Sequence, residues 1–425
     1  MITVYGLWHL GCVTAACCSK YIDTIGLDDD DSIINNLKKG HAPIFEPGLD
    51  ALINENIKSD RLGFTMDKDE ALSESELVWV TFDTPIDERD KADVDYVLNK
   101  IKGAASHMQD DAILLISSQL PAGTIQLLRD DFHTNKLNLA YSPENLRLGK
   151  AIDSFNNPER MIIGIDSIDA KNKLSKILSK LDNDIIWMSI ESAEMTKHAI
   201  NGFLAMSVSY ANELSSICEK VGANMQDVSK AMKSEIRIGP SAYVSPGSAY
   251  SGGTLARDVE YLKELGENTK DDLKLISSIS KSNESHKKWP LRILFDIFGT
   301  LESKKITILG LTYKPNTNTL RRSGHLEMAK QLLVMKACVV AYDPMLEKNV
   351  VGLPNDISLT KSIESAFQDT SAVIVANSYS NYKDFDWNHL ISLMRKEIIL
   401  DPNRYIYKFL THPIENLIYK SVGVS

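Results

Sequence analysis

A glycine turn near the start of the chain could hold the phosphates of a dinucleotide. Gly6 and Gly11 follow the short apolar run 2–5 and lead into a stretch of helical pattern. A strand that passes through such a turn into a helix presents backbone N–H groups at the helix N-terminus, where pyrophosphate charge is stabilised. Trp8 occupies the middle glycine position, where the backbone usually approaches the pyrophosphate. Taken alone, the turn is equally compatible with a plain connection between a strand and a helix.

An aspartate downstream of the turn strengthens the dinucleotide interpretation. Asp28 ends the second apolar run, about 20 residues after the turn, where a carboxylate can accept hydrogen bonds from an adenosine ribose. The same charge repels a 2′-phosphate, so we expect NAD rather than NADP. The alternative is that Asp28 only caps the following helix, a role that Asp29–Asp31 could fill equally well. The predicted cofactor-binding residues of this segment are Gly6, Trp8, His9, Leu10, Gly11 and Asp28.

The elements that would position these groups are indicated by an alternation of apolar runs and helical stretches. In the first part of the chain the apolar runs are 2–5, 25–27, 77–82, 113–117 and 138–141. Long helical patterns follow at 190–221 and 258–286, after which apolar runs recur at 305–309, 339–342, 372–376 and 398–401. Such alternation is typical of doubly wound parallel sheets. We predict an α/β fold with two Rossmann-like doubly wound parallel sheets joined by a central helical region, with domains at 1–189, 190–290 and 291–425.

Composition and charge exclude several classes of function. The 425 residues are 43% apolar and 24% charged, which is typical of a globular protein and long enough for two or three domains. The formal net charge of -10 argues against nucleic acid or an anionic membrane as the main partner. No apolar run reaches the roughly 18–20 residues that span a bilayer. The five cysteines show no metal-ligand pairing and their odd number gives no disulfide framework, so we expect no metal site and a cytoplasmic location.

A glycine-rich loop in the middle of the chain carries the most specific pattern. The segment 246–258 resembles, without a gap, the active-site loop of the nucleotide-sugar 6-dehydrogenases, the UDP-glucose dehydrogenase family. The aromatic, basic and acidic positions of that loop are Tyr250, Arg257 and Asp258. The position of the family's cysteine nucleophile, however, is Thr254. The resemblance therefore implies a dehydrogenase whose second oxidation step is altered.

Further segments extend the resemblance over roughly residues 1–410. They are 46–49, 84–85, 118–124, 142–149, 191–205, 237–239, 310–323 and 342–344. Several positions in and beside these segments depart from the family, among them Asp83, which stands in place of a glycine before Thr84. Gln119 stands where the family has a threonine thought to assist catalysis, and Leu148 replaces the second of two glutamates. The segment 401–404 reads Asp-Pro-Asn-Arg instead of aspartate-glycine-arginine-asparagine.

The resemblance assigns roles to individual residues. It implies that 1–189 binds NAD, that 190–290 pairs two chains in a homodimer, and that 291–425 binds the nucleotide sugar, with a UDP-sugar favoured. Lys197 and Asn201 share a helix face and would meet the reacting C6 oxygen, where an ammonium and an amide can stabilise alkoxide charge. The catalytic set is Lys197, Asn201, Asp258, Glu144 and Thr254. The additional cofactor-binding residues are Thr84, Pro85, Gln119 and Glu144. The substrate-binding residues are Glu144, Leu146, Lys197, Asn201, Arg237, Tyr243, Tyr250, Gly252, Lys314 and Arg404, with Arg237 reaching the neighbouring subunit's ligand.

The substitutions indicate how far the reaction proceeds. The family oxidises an alcohol to an acid with two NAD molecules, and a cysteine thiolate captures the intermediate aldehyde. A threonine hydroxyl is far less acidic than a thiol and is β-branched. We therefore predict a two-electron oxidation at C6, from alcohol to aldehyde. Two alternatives remain: a four-electron oxidation to a uronic acid through water, and a catalytically silent homologue that binds nucleotide sugars.

Overall fold

The computed structural model describes residues 1–85, 92–133, 137–144, 146, 148–181, 184–251, 253–315, 317–347, 350–410 and 414–424. The chain divides into two compact units, Met1–Ala199 and Ile200–Ser425. The boundary between them falls within one continuous helix, α9 (Ile190–Val221). The three-part division at 1–189, 190–290 and 291–425 stays a prediction.

The first unit contains a sheet of eight strands in the order β3-β2-β1-β4-β5-β6-β7-β8 among the described residues. The strands are β1 (Ile2–Tyr5), β2 (Thr24–Leu27), β3 (Leu62–Thr65), β4 (Leu77–Val80), β5 (Ile113–Ile116), β6 (Asn138–Tyr141), β7 (Met161–Ile165) and β8 (Ile185–Met188). Its helices are α1 (His9–Cys18), α2 (Asp31–Leu37), α3 (Leu49–Lys58), α4 (Lys68–Leu72), α5 (Val94–Ala105), α6 (Gln126–His133), α7 (Ala151–Asn156) and α8 (Ile168–Leu178). The order reverses between β1 and β4, so ligands are expected at the carboxyl ends of these strands.

The second unit begins with helices and ends with a sheet of six strands in the order β11-β10-β9-β12-β13-β14 in the described part. The helices are α10 (Met225–Ser234), α11 (Gly253–Thr269), α12 (Lys274–Lys287), α13 (Trp289–Phe298), α14 (Gly324–Val334), α15 (Ile363–Phe367) and α16 (Trp387–Ser392). The strands are β9 (Lys305–Leu309), β10 (Cys338–Tyr342), β11 (Ile357–Thr360), β12 (Ala372–Val375), β13 (Ile398–Leu400) and β14 (Ile418–Lys420). This order matches that of the first six strands of the first sheet, β3-β2-β1-β4-β5-β6, so the chain contains two doubly wound sheets, as predicted.

The apolar runs are continuous because both faces of each sheet are covered. In β4, Leu77 and Trp79 belong to the core on one face, whereas Val78 and Val80 belong to the core on the other. Neighbouring side chains of a strand point to opposite faces, so a strand buried on both sides contains few polar residues. The predicted fold class is confirmed, with one local difference: β7 pairs with β6 in the antiparallel direction. Among the described residues, no helix has the length and apolar character to cross a membrane.

Candidate active site

The turn after β1 has the geometry of a dinucleotide-binding turn. Gly6 has φ of +101°, and a Cβ atom at Gly6 would lie 2.9 Å from Phe82. A Cβ atom at Gly11 would lie only 1.9 Å from the carbonyl oxygen of Gly6, so the turn admits no side chain at either position. The backbone N–H of Leu7 donates to the Asp28 carboxylate at 2.6 Å. The turn and the aspartate are thus held together, and these residues fit NAD.

The aspartates that follow β2 have different hydrogen-bonding roles. Asp30 is the N-cap of α2, and its side chain accepts hydrogen bonds from the backbone of Ser32 and Ile33. Asp28 is almost fully buried, and its second oxygen accepts the N–H of Asp30 at 3.0 Å. Asp30 therefore caps the helix, and Asp28 organises the turn that would meet the cofactor.

Trp8 and His9 complete the turn. The Trp8 side chain is 42% exposed at the start of α1, so its indole lies on the surface of the turn and not in the core. Leu10 is half-buried. His9 Nε2 lies 2.9 Å from the Glu46 carboxylate. The turn is thus linked to the loop that precedes α3.

Glu46 is a buried carboxylate that joins three segments. Besides contacting His9, it accepts the backbone N–H groups of Gly149 and Ala151, each at 2.8 Å. Burial acts to raise the pKa of Glu46, but the hydrogen bonds from Gly149, His9 and Ala151 outweigh it and hold the pKa below its ordinary value. An ionised Glu46 therefore fixes the start of α7 against the cofactor turn.

The loops after β4 and β5 are joined to each other. The hydroxyl of Thr84 donates to the carbonyl of Gln119 at 2.7 Å, and Pro85 is exposed beside it. Glu194, in the first turns of α9, accepts the backbone N–H groups of Gly123 at 2.9 Å and Ile125 at 3.0 Å. Burial raises the pKa of Glu194 despite these two bonds. The loop after β5, which contains Gln119, is thereby fixed to α9, the helix that carries Lys197.

Lys197 is bound by Glu144. Its side chain is almost fully buried, and Nζ donates to the Glu144 carbonyl at 2.5 Å and to the Glu144 carboxylate at 3.2 Å. The other carboxylate oxygen of Glu144 accepts the N–H of Leu146 at 2.5 Å. The structure thus places Lys197, Glu144 and Leu146 together in the first unit, whereas Leu148 is exposed.

In the second unit, Asn201 and Asp258 form a pair. The Asn201 amide donates to the Asp258 carboxylate, which is fully buried in α11. Asn201 lies four residues after Lys197 on α9. The expectation that these residues act near one oxygen stays a prediction; the structure shows that they lie on one helix at a spacing that puts them on the same face.

Thr254 lies in the first turn of α11 and is exposed. Among the residues that the structure describes, none forms a hydrogen bond with its hydroxyl. Further along the same helix, burial raises the pKa of Tyr261, and the nearby charge of Arg257 opposes that rise. Thr254 lies at the N-terminus of α11. A helix N-terminus favours negative charge on a ligand or on a thiolate.

The loop before α11 is held by polar side chains from several elements. Asn283 accepts the N–H of Tyr250 at 3.0 Å and donates to its carbonyl at 2.9 Å. Asn403 accepts the N–H of Ser248 at 2.9 Å and donates to its hydroxyl at 2.8 Å. The other contacts of the loop are made by Asn212 with Gly247 and Ser248, and by His286 with Gly247. Burial, the largest cause, raises the pKa of Tyr250 to about 12, with Glu284 and Glu260 adding to the effect.

The remaining predicted substrate residues lie on the surface of the second unit. The Arg237 side chain is 85% exposed and donates to Glu235 at 2.8 Å. Tyr243 is exposed, and Lys314 is exposed with Nζ 5.1 Å from the Tyr313 ring centroid. Gly252 lies outside the described residues.

Arg404 stacks on an aromatic ring. It has φ of +58°, and its guanidinium carbon lies 3.7 Å from the ring centroid of Tyr407. Asn403, the residue at the family's arginine position, makes the loop contact. The altered residue order at 401–404 thus places an amide on the loop and stacks the arginine on a ring.

The second sheet has a similar turn, with a glycine at positive φ and an aspartate that accepts backbone N–H groups. Here a tyrosine hydroxyl also bonds to the aspartate. Gly310 has φ of +97°, and Asp343 accepts the N–H groups of Leu311 at 2.8 Å and Thr312 at 3.0 Å. The Tyr379 hydroxyl donates to the same carboxylate oxygen at 2.8 Å. Both aspartates accept backbone N–H groups, but Asp343 also accepts the hydroxyl of Tyr379, at the place where Asp28 would meet a ribose hydroxyl.

Six supporting side chains were not predicted from the sequence as site residues. They are Glu46, Glu194, Asn212, Asn283, His286 and Asn403. For most of them the only signal in the sequence is a polar residue within an otherwise apolar helix face. That signal does not show which group the side chain bonds to. Glu46 has a stronger signal, because it begins a segment that resembles the family.

Three parts of the chain match the domains of one protein family. Family models match residues 1–182 (UDP-glucose/GDP-mannose dehydrogenase family, NAD binding domain), 191–285 (central domain) and 307–408 (UDP binding domain). The UDP-glucose 6-dehydrogenase of Rhizobium meliloti (strain 1021) is 30% identical over 434 residues, which cover 99% of each chain. The UDP-glucose 6-dehydrogenase YwqF of Bacillus subtilis (strain 168) is 30% identical over 429 residues, 99% of this chain and 97% of that protein.

Solved structures agree with this placement. A UDP-glucose dehydrogenase from the hyperthermophilic archaeon Pyrobaculum islandicum superposes with a TM-score of 0.86 at 25% identity, covering 100% of this chain and 98% of that one. A UDP-D-ManNAc dehydrogenase from Pyrococcus horikoshii gives a TM-score of 0.85 at 24% identity, covering 100% of this chain and 99% of that one, which is a likeness of fold alone.

Proposed function

The chain belongs to the UDP-glucose/GDP-mannose dehydrogenase family and is an NAD-dependent nucleotide-sugar dehydrogenase, and from this premise we propose that it removes only two electrons from its substrate. The product of that reaction is the C6 aldehyde or its hydrate. The single observation that carries the proposal is Thr254, exposed in the first turn of α11 where the family has its cysteine.

The argument concerns the nucleophile of the second oxidation. A thiol with a pKa near 8.5 becomes a thiolate when a helix N-terminus or a nearby cation lowers that pKa. A threonine hydroxyl needs an adjacent base to become a nucleophile, and no described residue bonds to the Thr254 hydroxyl. The aldehyde is therefore not captured covalently, and no thioester can form.

The residues for the first oxidation are retained. NAD, when bound, accepts the hydride from C6. In this proposal the ammonium of Lys197 and the amide of Asn201 stabilise the negative charge that develops on the C6 oxygen. The hydroxyl proton passes to water, so one alcohol and one NAD give one aldehyde, one NADH and one proton. Glu144 and Asp258 hold Lys197 and Asn201 in place through the hydrogen bonds described above.

A UDP-sugar is the proposed substrate. The two curated relatives are UDP-glucose 6-dehydrogenases, and the C-terminal family model is a UDP binding domain. Lys314 supplies an exposed ammonium for a phosphate group. The odd number of cysteines supports a cytoplasmic setting.

The proposed assembly is a homodimer that forms through α9. Phe203, Tyr210 and Ile217 are 63%, 52% and 57% exposed and stand seven residues apart, so they form one apolar stripe. A second copy of the chain would cover this stripe in a two-fold interface. Arg237 projects from an exposed loop between Ile236 and Ile238, which supports a role in the partner's substrate site.

The stoichiometry of NADH per sugar tests this function. Purified protein is incubated with excess NAD and limiting UDP- or GDP-sugar, and NADH absorbance is read at completion. We expect one NADH per sugar and an aldehyde that a hydrazine reagent traps. Two NADH and a uronic acid would support the water-based four-electron route, and none with any sugar would support the silent homologue.

A further inference from the structure

Two lysine side chains meet the carboxylate of Asp29 at the carboxyl end of β2. The Nζ atom of Lys100, on α5, lies 2.5 Å from one Asp29 oxygen, and that of Lys68, on α4, lies 3.6 Å from the other. The Tyr5 hydroxyl donates to the same carboxylate at 3.2 Å. All three charged side chains are about 30% exposed, so the cluster is open to solvent and to a ligand.

The cluster adjoins the part of the crevice that would hold the adenosine ribose. Asp29 directly follows Asp28, which is fixed to the cofactor turn through the N–H of Leu7. Ligands of doubly wound sheets bind at the carboxyl ends of the strands, next to the point where strand order reverses. A 2′-phosphate on this ribose would therefore lie beside the two ammonium groups.

The lysines do not depend on Asp29 alone for their position. Lys100 Nζ lies 5.8 Å from the Phe82 ring centroid and 5.4 Å from that of Tyr96. Lys68 Nζ lies 5.9 Å from the Tyr5 ring centroid. Cation–π contacts of this length hold an ammonium near the ring. Both cations would remain in place if the carboxylate were removed.

The charge state of the cluster follows from these contacts. Burial acts to raise the pKa of Asp29, but the hydrogen bond and charge of Lys100, and the charge of Lys68, lower it on balance. Asp29 is therefore ionised at neutral pH. One carboxylate so placed offsets much of the attraction that two ammonium groups would exert on a phosphate.

We propose that Asp29 determines cofactor specificity: by binding Lys100 and Lys68 it prevents them from neutralising a 2′-phosphate, and it thereby adds to the preference of Asp28 for NAD. The proposal rests on the NAD dependence of this family. In this proposal both aspartates disfavour a cofactor with a 2′-phosphate: Asp28 would accept hydrogen bonds from the ribose hydroxyls, and Asp29 binds the nearby cations.

The test compares two ligands that differ only in the 2′-phosphate. ADP-ribose and 2′-phospho-ADP-ribose are titrated calorimetrically into the wild-type protein and into Asp29→Asn, which removes one charge and keeps the shape. Neither ligand carries nicotinamide, so the readout is independent of catalysis. We expect Asp29→Asn to bind the 2′-phosphorylated ligand about fivefold to tenfold better relative to ADP-ribose, which corresponds to about 1 kcal/mol in a partly solvated site.

Three variants separate specificity from general effects of charge and folding. Asp31→Asn removes the same charge two residues away, where the side chain accepts a hydrogen bond from Asn35, and it should leave the ratio of affinities unchanged. Asp29→Asn combined with Lys100→Met should cancel the gain. Lys100→Gln alone should lower the ratio below that of the wild type, and it carries the test if Asp29→Asn does not fold.

The outcomes distinguish this inference from the proposed function. An unchanged ratio in Asp29→Asn, or an equal gain in Asp31→Asn, would overturn the role of Asp29 while leaving NAD dependence intact. An equal loss of both ligands would make Asp29 a structural residue and overturn the inference. Failure of the wild-type protein to bind ADP-ribose would instead contradict the cofactor site itself.

Discussion

Thr254 and Lys197 belong to different halves of the proposed reaction, and their surroundings differ accordingly. Thr254 is exposed at the first turn of α11, whereas Lys197 is buried and held by Glu144. A buried, bound ammonium is a preorganised donor for a developing negative charge. An exposed hydroxyl without a described base can contact a substrate but cannot attack a carbonyl efficiently. The two residues can be tested separately.

Replacing Thr254 by Cys should introduce covalent capture of the aldehyde. The new thiol lies at the start of a helix, where the macrodipole favours the thiolate. After incubation with NAD and the sugar nucleotide, intact mass spectrometry should detect a sugar adduct on this variant. Thr254→Ser is the matched control, because it keeps the hydroxyl and should give no adduct. An adduct on the unmodified protein would contradict the two-electron mechanism.

Replacing Lys197 by Ala should reduce turnover much more than substrate binding. Its ammonium is needed mainly when alkoxide charge develops, and loss of one such donor costs on the order of 10²–10³ in kcat. Lys220→Ala, an exposed position near the end of the same helix, should retain the wild-type rate. Steady-state kinetics and calorimetric binding of the sugar nucleotide together measure the two effects. An unchanged kcat would remove Lys197 from the mechanism.

At the scale of elements, single buried side chains connect loops that are distant in sequence. Glu46 joins the cofactor turn to the start of α7, and Glu194 joins the loop after β5 to α9. Asn283 holds both backbone groups of Tyr250. Each pairs backbone groups that would otherwise be buried without partners, which costs about 1–3 kcal/mol apiece. The loops that carry the chemistry are thereby fixed to the sheets and helices.

The Glu46 clamp should make stability depend on pH. Its folded pKa is lowered from 4.5, so its stabilisation is fully present above about pH 4.5 and is lost as pH falls through the folded value. Glu46→Gln should lower stability at pH 7 by about 1–3 kcal/mol, because one buried donor loses its acceptor. The gap in thermal midpoint between the wild type and the variant should narrow below pH 4.5. Glu55→Gln, with a carboxylate on the surface of α3, is the control and should show no gap. A Glu46→Gln gap of constant size from pH 7 to pH 3 would contradict an ionised clamp.

At the scale of the whole chain, the sequence predicts the sheets well but the contacts between segments poorly. Strands such as β6 and β9 have the predicted bounds because both faces of each sheet are buried and the apolar runs are continuous. The helix α9 also has the predicted bounds. The antiparallel direction of β7 has no such local signal, because a buried strand has the same pattern in either direction. Asn403 was unpredictable for a related reason: its partner Ser248 is distant in the chain, and hydrogen bonding does not alter periodicity.

The proposed dimer can be tested by complementation between two inactive subunits. If Arg237 completes the partner's site, a protein with Arg237→Ala and a protein with Lys197→Ala are each impaired as pure homodimers. Co-refolded in equal amounts, they should form half heterodimers, each with one intact site made from the Lys197 of one subunit and the Arg237 of the other. The mixture should therefore recover about a quarter of wild-type activity. A mixture of Arg237→Ala with Arg237→Ala/Lys197→Ala is the control and should recover none. If Arg237 acts within its own subunit, neither site of the heterodimer is intact, and the absence of recovery would contradict the shared site.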